Sequence, residues 1–290
     1  MMPPMRVSLV AAVVLLAALT GCAGTGEIAE QAGERTGERS CHKDALDTLV
    51  PGRLTFAADE SVYHPWYINN QPENGQGYES AVAYAVADKL GYRRDEVRWV
   101  RVPFNEVIAP GPKNFDAALE QISITDERAQ WVDFSAPYYN VTQAFLAMPG
   151  TPADGVTDIE GLRGLRMGAQ AGSTSLDTAR RLSETGTVID YPTNEAARDA
   201  LAAGRIEVLV VDLPTAFSMQ FELPGSIIVG QLPPEPGNGE EFGIVLPKDS
   251  PLTECVSWAV DELGDNGDLF RMQKEWLTGP GIAPLLSESR

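Results

Sequence analysis

Residues 123–128, with the sequence S-I-T-D-E-R, carry the groups best suited to hold an anion. The hydroxyls of Ser123 and Thr125 precede a predicted helix, whose first backbone N–H groups have no partner within the helix. Arg128 lies in the predicted first turn, where its guanidinium can hold a carboxylate through two parallel hydrogen bonds. A capped surface helix with an exposed Arg gives the same pattern, because capping motifs are common. The segment alone therefore leaves an anion site and an ordinary helix cap open.

Two other segments place polar groups where a predicted strand meets a helix. Residues 168–175, G-A-Q-A-G-S-T-S, pass from a strand through a glycine turn to the hydroxyls of Ser173 and Thr174. Residues 208–212, V-L-V-V-D, form an apolar strand that ends in Asp212. Taken alone, the hydroxyls indicate an N-cap, and the acid indicates a cap for the next helix. A binding role for these groups depends on the fold that brings them together.

Short apolar strands alternate with amphipathic helices through most of the chain. Strands are predicted at 54–57, 97–102, 166–169 and 208–211, and each precedes a helix. Such alternation predicts an α/β fold with mostly parallel sheets. Binding groups in open α/β sheets collect beyond the carboxyl ends of the strands. The polar segments lie at such ends, so we expect them to share one cleft.

The run V-D-F-S-A-P-Y-Y at 132–139 follows S-I-T-D-E-R after three residues. The combination resembles the signature of extracytoplasmic solute-binding proteins of the polar amino-acid type (family 3), which are receptor components of ABC importers. Further motifs that resemble the family are Y-H-P-W at 63–66, V-P-F at 102–104 and G-S-T at 172–174. Their order and spacing extend the resemblance over residues 52–279.

The resemblance implies an α/β, two-lobe periplasmic-binding-protein fold (type II) with the ligand in the interlobe cleft. The chain would cross between the lobes twice, in hinge segments at 140–144 and 239–243. Residues 41–139 and 244–290 would form lobe 1, and residues 145–238 would form lobe 2. A ligand held by both lobes would then stabilise a closed arrangement.

The family pattern also places eight ligand-binding residues on this chain. They are Arg128, Ser123, Gln121, Ser173, Thr174, Asp212, Tyr63 and Phe104. In the family, Arg128 and the Ser173–Thr174 segment would hold one carboxylate from opposite lobes, and Asp212 would bind an α-ammonium group. Tyr63 and Phe104 would sandwich the ligand side chain. Gln121 replaces a small or hydroxylated residue, which predicts an altered side-chain specificity.

The N-terminus predicts export to the outside of the cytoplasm. An apolar run from Val7 to Leu19 is too short for a stable membrane span and is typical of a signal peptide, here residues 1–21. The sequence L-T-G-C at its end fits the lipobox of bacterial lipoproteins, in which Cys22 carries the lipid. Residues 22–40 are predicted to be a flexible tether to the cell membrane. The alternative is a plain secretory signal in which Cys22 is incidental.

Cys41 and Cys255 then remain as an even pair in an oxidising compartment. A disulfide between them is the natural prediction, and two buried free thiols are the alternative.

The composition disfavours several classes of protein. The chain has 22 Lys and Arg residues against 41 Asp and Glu residues, a net charge of −19, so binding of nucleic acid through phosphates is disfavoured. It contains two His residues and no H-E-x-x-H, C-x-x-C or Ser-His-acid arrangement, so we expect no metal, cofactor or hydrolase triad. We expect a monomeric receptor that is not an enzyme and that works with a membrane permease.

Two other functions remain open on the sequence. A dehydratase of the same fold would use a cleft carboxylate as acid or base, with Glu60, Glu79, Glu120 and Asp212 as candidates. A sensor would bind the same ligand without transport.

The sequence predicts a polar or charged amino acid as ligand without identifying it. The acids Asp59, Glu60 and Glu79 near the expected cleft suggest a cationic ligand, although each also has a structural explanation. Glu79 opens a predicted helix and is better explained as a partner of the helix dipole. Trp66 is better explained as a core residue.

Overall fold

The structure is a computed structural model that describes residues 40–184, 186–234, 239–277 and 283–287 of the 290-residue chain. The predicted signal peptide, the lipid site at Cys22 and the tether as far as residue 39 lie outside the described residues. Within the described ranges, no helix has the length and apolar character that crossing a membrane requires.

The described part contains strands and helices in alternation. The strands are β1 (Leu54–Ala58), β2 (Val97–Arg101), β3 (Ala117–Ala118), β4 (Val132–Val141), β5 (Gln143–Ala147), β6 (Met167–Gln170), β7 (Val188–Tyr191), β8 (Val208–Asp212), β9 (Ile227–Gln231) and β10 (Glu240–Pro247). The α-helices are α1 (Tyr78–Lys89), α2 (Phe104–Val107), α3 (Thr174–Leu182), α4 (Asn194–Ala202), α5 (Leu213–Glu222), α6 (Thr253–Asp265) and α7 (Asp268–Trp276).

The strands form two five-stranded sheets, one in each lobe. The first sheet has the order β2-β1-β3-β10-β4, and the second has the order β7-β6-β8-β5-β9. In the first sheet, β1 runs parallel to β2 and β3, while β10 runs antiparallel to β3 and β4. In the second sheet, β6 runs parallel to β7 and β8, while β5 runs antiparallel to β8 and β9. The sheets are therefore mixed, and the expectation of mostly parallel sheets is wrong for β5 and β10.

Each sheet is built around a strand that is apolar along almost its whole length. β1 reads L-T-F-A-A and is buried throughout, and β8 reads V-L-V-V-D and is buried as far as its terminal acid. Continuous apolar runs of this kind occur where both faces of a sheet are covered. In the first lobe the core includes an aromatic group in which the ring of Trp66 contacts Tyr78, Tyr139 and Phe242. The interpretation of Trp66 as a core residue agrees with its complete burial.

The chain passes between the sheets in two places. β4 ends at Val141 in the first sheet and β5 starts at Gln143 in the second, so Thr142 is the first crossing point. The second crossing lies between the end of β9 at Gln231 and the start of β10 at Glu240. Both crossings adjoin or fall within the predicted hinge segments 140–144 and 239–243, whose role in motion stays a prediction.

Arg128 does not start an α-helix, which corrects the sequence prediction. Residues Arg128–Gln130 form a single 3₁₀ turn, and β4 begins at Val132. Thr125 closes this turn, because its hydroxyl accepts a hydrogen bond from the Arg128 N–H at 3.2 Å. The aromatic and β-branched residues that follow favour a strand, which ends the turn early.

The C-terminal residues 283–287 lie against the second sheet, whereas the sequence assigned them to lobe 1. Leu286 is buried in the same cluster as Phe145 and Val210. Its backbone N–H donates to Gln231 at 3.0 Å, and the Gln231 N–H donates to Pro284 at 2.8 Å. The segment thus satisfies backbone groups at the edge strand β9 and fills an apolar site beside it.

The predicted disulfide between Cys41 and Cys255 is present, with the two Cα atoms 5.2 Å apart. It joins the first described residues to α6, where Cys255 is completely buried.

Candidate ligand-binding site

One cavity between the two lobes gathers most of the predicted ligand-binding residues. Seven of the eight line it, and they are Tyr63, Phe104, Gln121, Arg128, Ser173, Thr174 and Asp212. Ser123 does not line the cavity, but its hydroxyl lies 3.3 Å from that of Thr174. The ligand-binding roles of all eight stay a prediction.

Arg128 is held in place by backbone carbonyls of both lobes. Its Nη1 donates to the Ser123 carbonyl at 2.7 Å, and its Nη2 donates to the Gly172 carbonyl in the second lobe at 2.9 Å. The side chain is buried, and its guanidinium lies 5.6 Å from the centroid of the Phe104 ring. Guanidinium has five donors in one plane, so these two bonds fix its orientation and leave further donors for a carboxylate.

The N-terminus of α3 supplies the facing side of the cavity. Ser173 is its N-cap, because the Ser173 hydroxyl accepts from the Leu176 N–H at 3.1 Å and donates to the Gln170 carbonyl at 2.7 Å. The hydroxyl of Ser173 is therefore engaged in capping. It supports an anion site indirectly, because it fixes the N-terminus of α3. Positive partial charge at that terminus favours a carboxylate.

Gly172 brings the two lobes into close approach. Its φ of +77° is a left-handed backbone conformation, and a Cβ placed there would lie 2.4 Å from the Asn105 side-chain oxygen. Asn105 belongs to α2 in the first lobe. A side chain at residue 172 would therefore strain the backbone and displace the Asn105 side chain.

Glu240, at the start of β10, joins hydroxyls from both lobes. Its Oε1 accepts hydrogen bonds from Ser123 Oγ and from Thr174 Oγ1, each at 2.5 Å. A hydroxyl has one proton, so these bonds leave the two oxygens with lone pairs to offer. Ser123 and Thr174 are thus arranged to accept a further hydrogen bond.

Asp212 lies on the opposite side of this network. Although it is the N-cap residue of α5, its side chain makes no capping hydrogen bond. Its Oδ1 instead accepts from Gln143 Nε2 at 2.9 Å, and the same amide donates to Glu240 Oε2 at 2.9 Å. Burial raises the pKa of Asp212 well above its usual range, and the charge of Glu240 raises it further. A carboxylate in this setting gains from a cationic partner.

Gln121 supports the site through Glu79. Its backbone N–H donates to Glu79 Oε1 at 2.7 Å, and its side-chain amide donates to Glu79 Oε2. These bonds hold Gln121 at a φ of +52°, which is uncommon for a residue other than glycine. The Gln121 amide nitrogen is therefore engaged within the protein, although its carbonyl oxygen lies 3.5 Å from Tyr63 Oη.

Glu79 is a buried carboxylate that accepts several hydrogen bonds, and it is not simply a partner of the helix dipole. It is completely buried near the start of α1, and its Oε1 also accepts from Tyr138 Oη at 2.5 Å. Burial raises the pKa of Glu79 to about 7, while the hydrogen bonds from Tyr138 and Gln121 act in the opposite direction. The sequence pattern at a helix start gave no signal of this network.

Two further hydrogen bonds connect the lobes directly. Trp66 Nε1 donates to Thr215 Oγ1 at 3.1 Å, and both residues are buried. Asn194 Nδ2 donates to Tyr63 Oη at 3.0 Å at the edge of the cavity. The lobes therefore meet through side chains of their own as well as around the cavity.

The far end of the cavity is acidic. Asp59, Glu120 and Glu195 line it, and none of the three forms an ion pair among the described residues. The sequence associated Asp59 with a cationic ligand and Glu120 only with a dehydratase, and it gave no role to Glu195, Gln143 or Glu240. The only available signal was the position of each at or near an end of a strand or helix.

No group of three or more His, Cys, Asp or Glu side chains in the described ranges is arranged to hold a metal ion.

Comparison with known proteins gives a consistent result. A family model described as bacterial extracellular solute-binding proteins, family 3, matches residues 54–279. The arginine-binding extracellular protein ArtP of Bacillus subtilis (strain 168) is 30% identical, over 71% of this chain and 80% of its own length. The ABC transporter glutamine-binding protein GlnH of the same organism is 26% identical, over 92% of this chain and 93% of its own length.

Solved structures agree with the sequence comparisons. An ancestral arginine-binding protein bound to arginine is 28% identical, with a TM-score of 0.66 over 78% of this chain and 99% of that protein. The similarity confirms the two-lobe α/β fold that the motifs predicted.

Proposed function

Because the chain belongs to family 3 of the bacterial extracellular solute-binding proteins, we propose that it captures a free amino acid outside the cytoplasm and delivers it to an ABC importer. One observation carries the proposal. Arg128 of the first lobe and Asp212 of the second line the same cavity, so one side chain suits an α-carboxylate and the other an α-ammonium group. The relatives named for arginine and for glutamine bind ligands that share these two groups.

The proposed binding mode assigns a distinct partner to each end of the ligand head group. The α-carboxylate lies between the free donors of Arg128 and the N-terminus of α3. The α-ammonium group donates to Asp212 and to the hydroxyl oxygens of Ser123 and Thr174, whose protons are engaged by Glu240. Each charge of the zwitterion thus meets groups from both lobes.

Such a ligand stabilises the closed arrangement of the lobes, because its two-sided contacts exist only in that state. Solution scattering with saturating amino acid should therefore give a smaller radius of gyration than the free protein. An unchanged profile at proven saturation would contradict closure about the segments 140–144 and 239–243.

Function is tested by a thermal-shift screen against the common amino acids, followed by isothermal titration calorimetry. A ligand that binds only the folded protein raises its free energy of unfolding, by about 2.7 kcal/mol at a concentration 100 times the Kd. The melting temperature rises as a result. We expect at least one amino acid to stabilise the protein in this way. If no amino acid binds to correctly folded protein, the proposed function is wrong.

We propose that capture occurs without chemical turnover, since the relatives compared above are named for binding. Incubation with prephenate or arogenate should leave both compounds unchanged. Formation of a dehydrated product would instead favour the dehydratase alternative.

We further propose that Cys22 carries a lipid that anchors the receptor to the cell membrane, with the residues that follow acting as a tether. The lipobox L-T-G-C supports this proposal. A Cys22→Ala variant should leave the membrane fraction of the native host. If that variant remains as firmly membrane-associated as the wild-type protein, the anchor proposal is wrong.

A further inference from the structure

Glu120 is a buried carboxylate for which the protein provides no hydrogen bond. It follows β3 by two residues, and its side chain lines the cavity although the residue is only 4% exposed. Neither of its oxygens has a hydrogen-bond partner among the described residues. No other carboxylate in those ranges is buried without a partner in this way.

Such a group is unfavourable unless something compensates it. A buried carboxylate loses its hydration, and native proteins almost always return hydrogen bonds or an ion pair in exchange. The cation that acts on Glu120 is Arg101, but its guanidinium donates to the backbone carbonyls of Asp59 and Asn70, each at 2.7 Å. Arg101 therefore lowers the cost of the Glu120 charge but gives it no hydrogen bond, and a group that enters the cavity can supply the missing donors.

Two more carboxylates share this part of the cavity. Asp59 follows β1 in the first lobe, and Glu195 lies in the first turn of α4 in the second lobe. Burial raises the pKa of Asp59, and the charge of Glu195 adds to the effect. Burial likewise raises the pKa of Glu120, with a further contribution from Asp59. Asp59 thus lies close enough to repel both Glu120 and Glu195.

The walls of the cavity include two aromatic side chains, against which the side chain of a ligand can pack. Tyr63 and Phe104 line it and offer aromatic faces, on which a planar guanidinium or an alkyl chain can pack. A cationic end would relieve the repulsion among the carboxylates and give the Glu120 oxygens their missing donors.

We propose that Glu120, together with Asp59 and Glu195, selects an amino acid with a cationic side chain. The inference rests on the proposed function, since it assigns the side-chain end of the same site. The alternative is a neutral Glu120 that donates to an uncharged or anionic side chain, and it predicts tight binding of citrulline or glutamate.

The test compares L-arginine with L-citrulline by isothermal titration calorimetry, because citrulline has nearly the same shape and no side-chain charge. L-Lysine and L-glutamate complete the set. We expect arginine to bind at least about 100-fold more tightly than citrulline, since a site built around a charged partner strongly rejects its neutral analogue. We expect glutamate to be rejected.

Substitutions at Glu120 and Asp59 test which residues cause the preference for arginine over citrulline. Glu120→Gln should reduce the ratio of arginine affinity to citrulline affinity by about 10-fold or more and leave citrulline affinity nearly unchanged. If Glu120→Gln does not fold, the same ratio of affinities is measured for Asp59→Asn. Glu106→Gln is the matched control, because Glu106 is an exposed acid on α2 that does not line the cavity.

The outcomes separate this inference from the proposed function. If citrulline or glutamate binds wild-type protein as tightly as arginine, the inference is wrong while the proposed function stands. The inference is also wrong if Glu120→Gln and Asp59→Asn both preserve the wild-type ratio. Absence of binding by every amino acid would overturn the proposed function and this inference with it.

Discussion

At one end of the cavity, which we call the head-group end, Arg128, Asp212 and Glu240 all have hydrogen-bond partners within the protein. At the other end, which we call the acidic end, Glu120 has none among the described residues. The head-group end is held by backbone carbonyls, a helix N-terminus and the Gln143 amide. The acidic end contains Glu120, Asp59 and Glu195, of which Asp59 accepts a hydrogen bond from the Glu60 N–H at 2.7 Å.

Under the proposed function, this difference separates two tasks of a receptor. Groups that are already oriented lose little freedom on binding, so the head-group end is prepared for the part that all α-amino acids share. The acidic end is unfavourable by itself, so it gains most from the one type of side chain that supplies its missing partner. Affinity and selectivity are thereby assigned to different residues.

Removal of Arg128 should give the largest loss at the head-group end. Arg128→Ala would leave the ligand carboxylate desolvated without its main partner, which typically costs about 2–5 kcal/mol, or about 30- to several-thousand-fold in affinity. Titration calorimetry with the tightest-binding amino acid measures the effect. Arg181→Ala is the matched control, because Arg181 is exposed on α3. Near wild-type affinity for Arg128→Ala would remove this residue from the site.

A methyl group at Gly172 should weaken binding without removing any ligand contact. In Gly172→Ala, the new Cβ would meet the Asn105 oxygen at 2.4 Å and the backbone would remain at a φ of +77°. We expect a loss of about 10-fold or more in affinity, because the strained arrangement costs on the order of 1–3 kcal/mol. The double variant with Asn105→Ala should recover part of the loss. If the second substitution recovers nothing, the close approach of the lobes is not the cause.

The sequence was sufficient to bring four polar residues to one cavity because these residues follow short motifs. Arg128, Ser173, Thr174 and Asp212 each lie at the end of a strand or the start of a turn or helix, where local pattern and position in the fold coincide. The alternation of strands and helices likewise predicted β6 with α3, and β8 with α5. Cys41 and Cys255 could be paired because the predicted oxidising compartment left only two thiols.

Residues that depend on distant partners could not be predicted. Glu240 is separated from Ser123 by 117 residues and from Thr174 by 66, so no local pattern connects them. Glu79 matched a helix start, and the hydrogen bonds that it accepts come from Tyr138 and Gln121, which are 59 and 42 residues away. The turn at Arg128 was mistaken for a helix because the capping signal is the same for both. The path of residues 283–287 depends on an edge strand in the other lobe.

Glu240→Gln should shift the pH dependence of binding. An ammonium group needs Asp212 in its ionised form, so affinity is lost as the pH falls through the raised pKa of Asp212. The charge of Glu240 contributes to that rise, and its removal should therefore lower the pKa. We expect the acid limb of the affinity profile to move to lower pH, with a several-fold weaker affinity at neutral pH because two hydroxyls lose a charged acceptor.

Calorimetric measurement of Kd between about pH 5 and 8 tests this shift. Glu241→Gln is the matched control, since it removes the same charge from the next residue, whose side chain makes none of the hydrogen bonds described for Glu240. A limb that stays in place or moves up would show that Glu240 does not act on Asp212.

The smallest effect is expected from the direct contact between the lobes at Trp66 and Thr215. Trp66→Phe keeps an aromatic ring in the core but removes the N–H that donates to Thr215 Oγ1 at 3.1 Å. A typical hydrogen bond contributes about 1 kcal/mol net, so the closed state should lose stability and the Kd should rise about 5-fold. Thr215→Val removes the same bond from the second lobe. Comparison of the double variant with the two single variants gives the interaction energy of the pair, separate from changes in packing. If the two substitutions add fully, the bond contributes nothing to closure. If the double variant loses less affinity than the sum of the two single losses, the bond is coupled to binding. Residues outside the cavity would then help to set the affinity for the ligand.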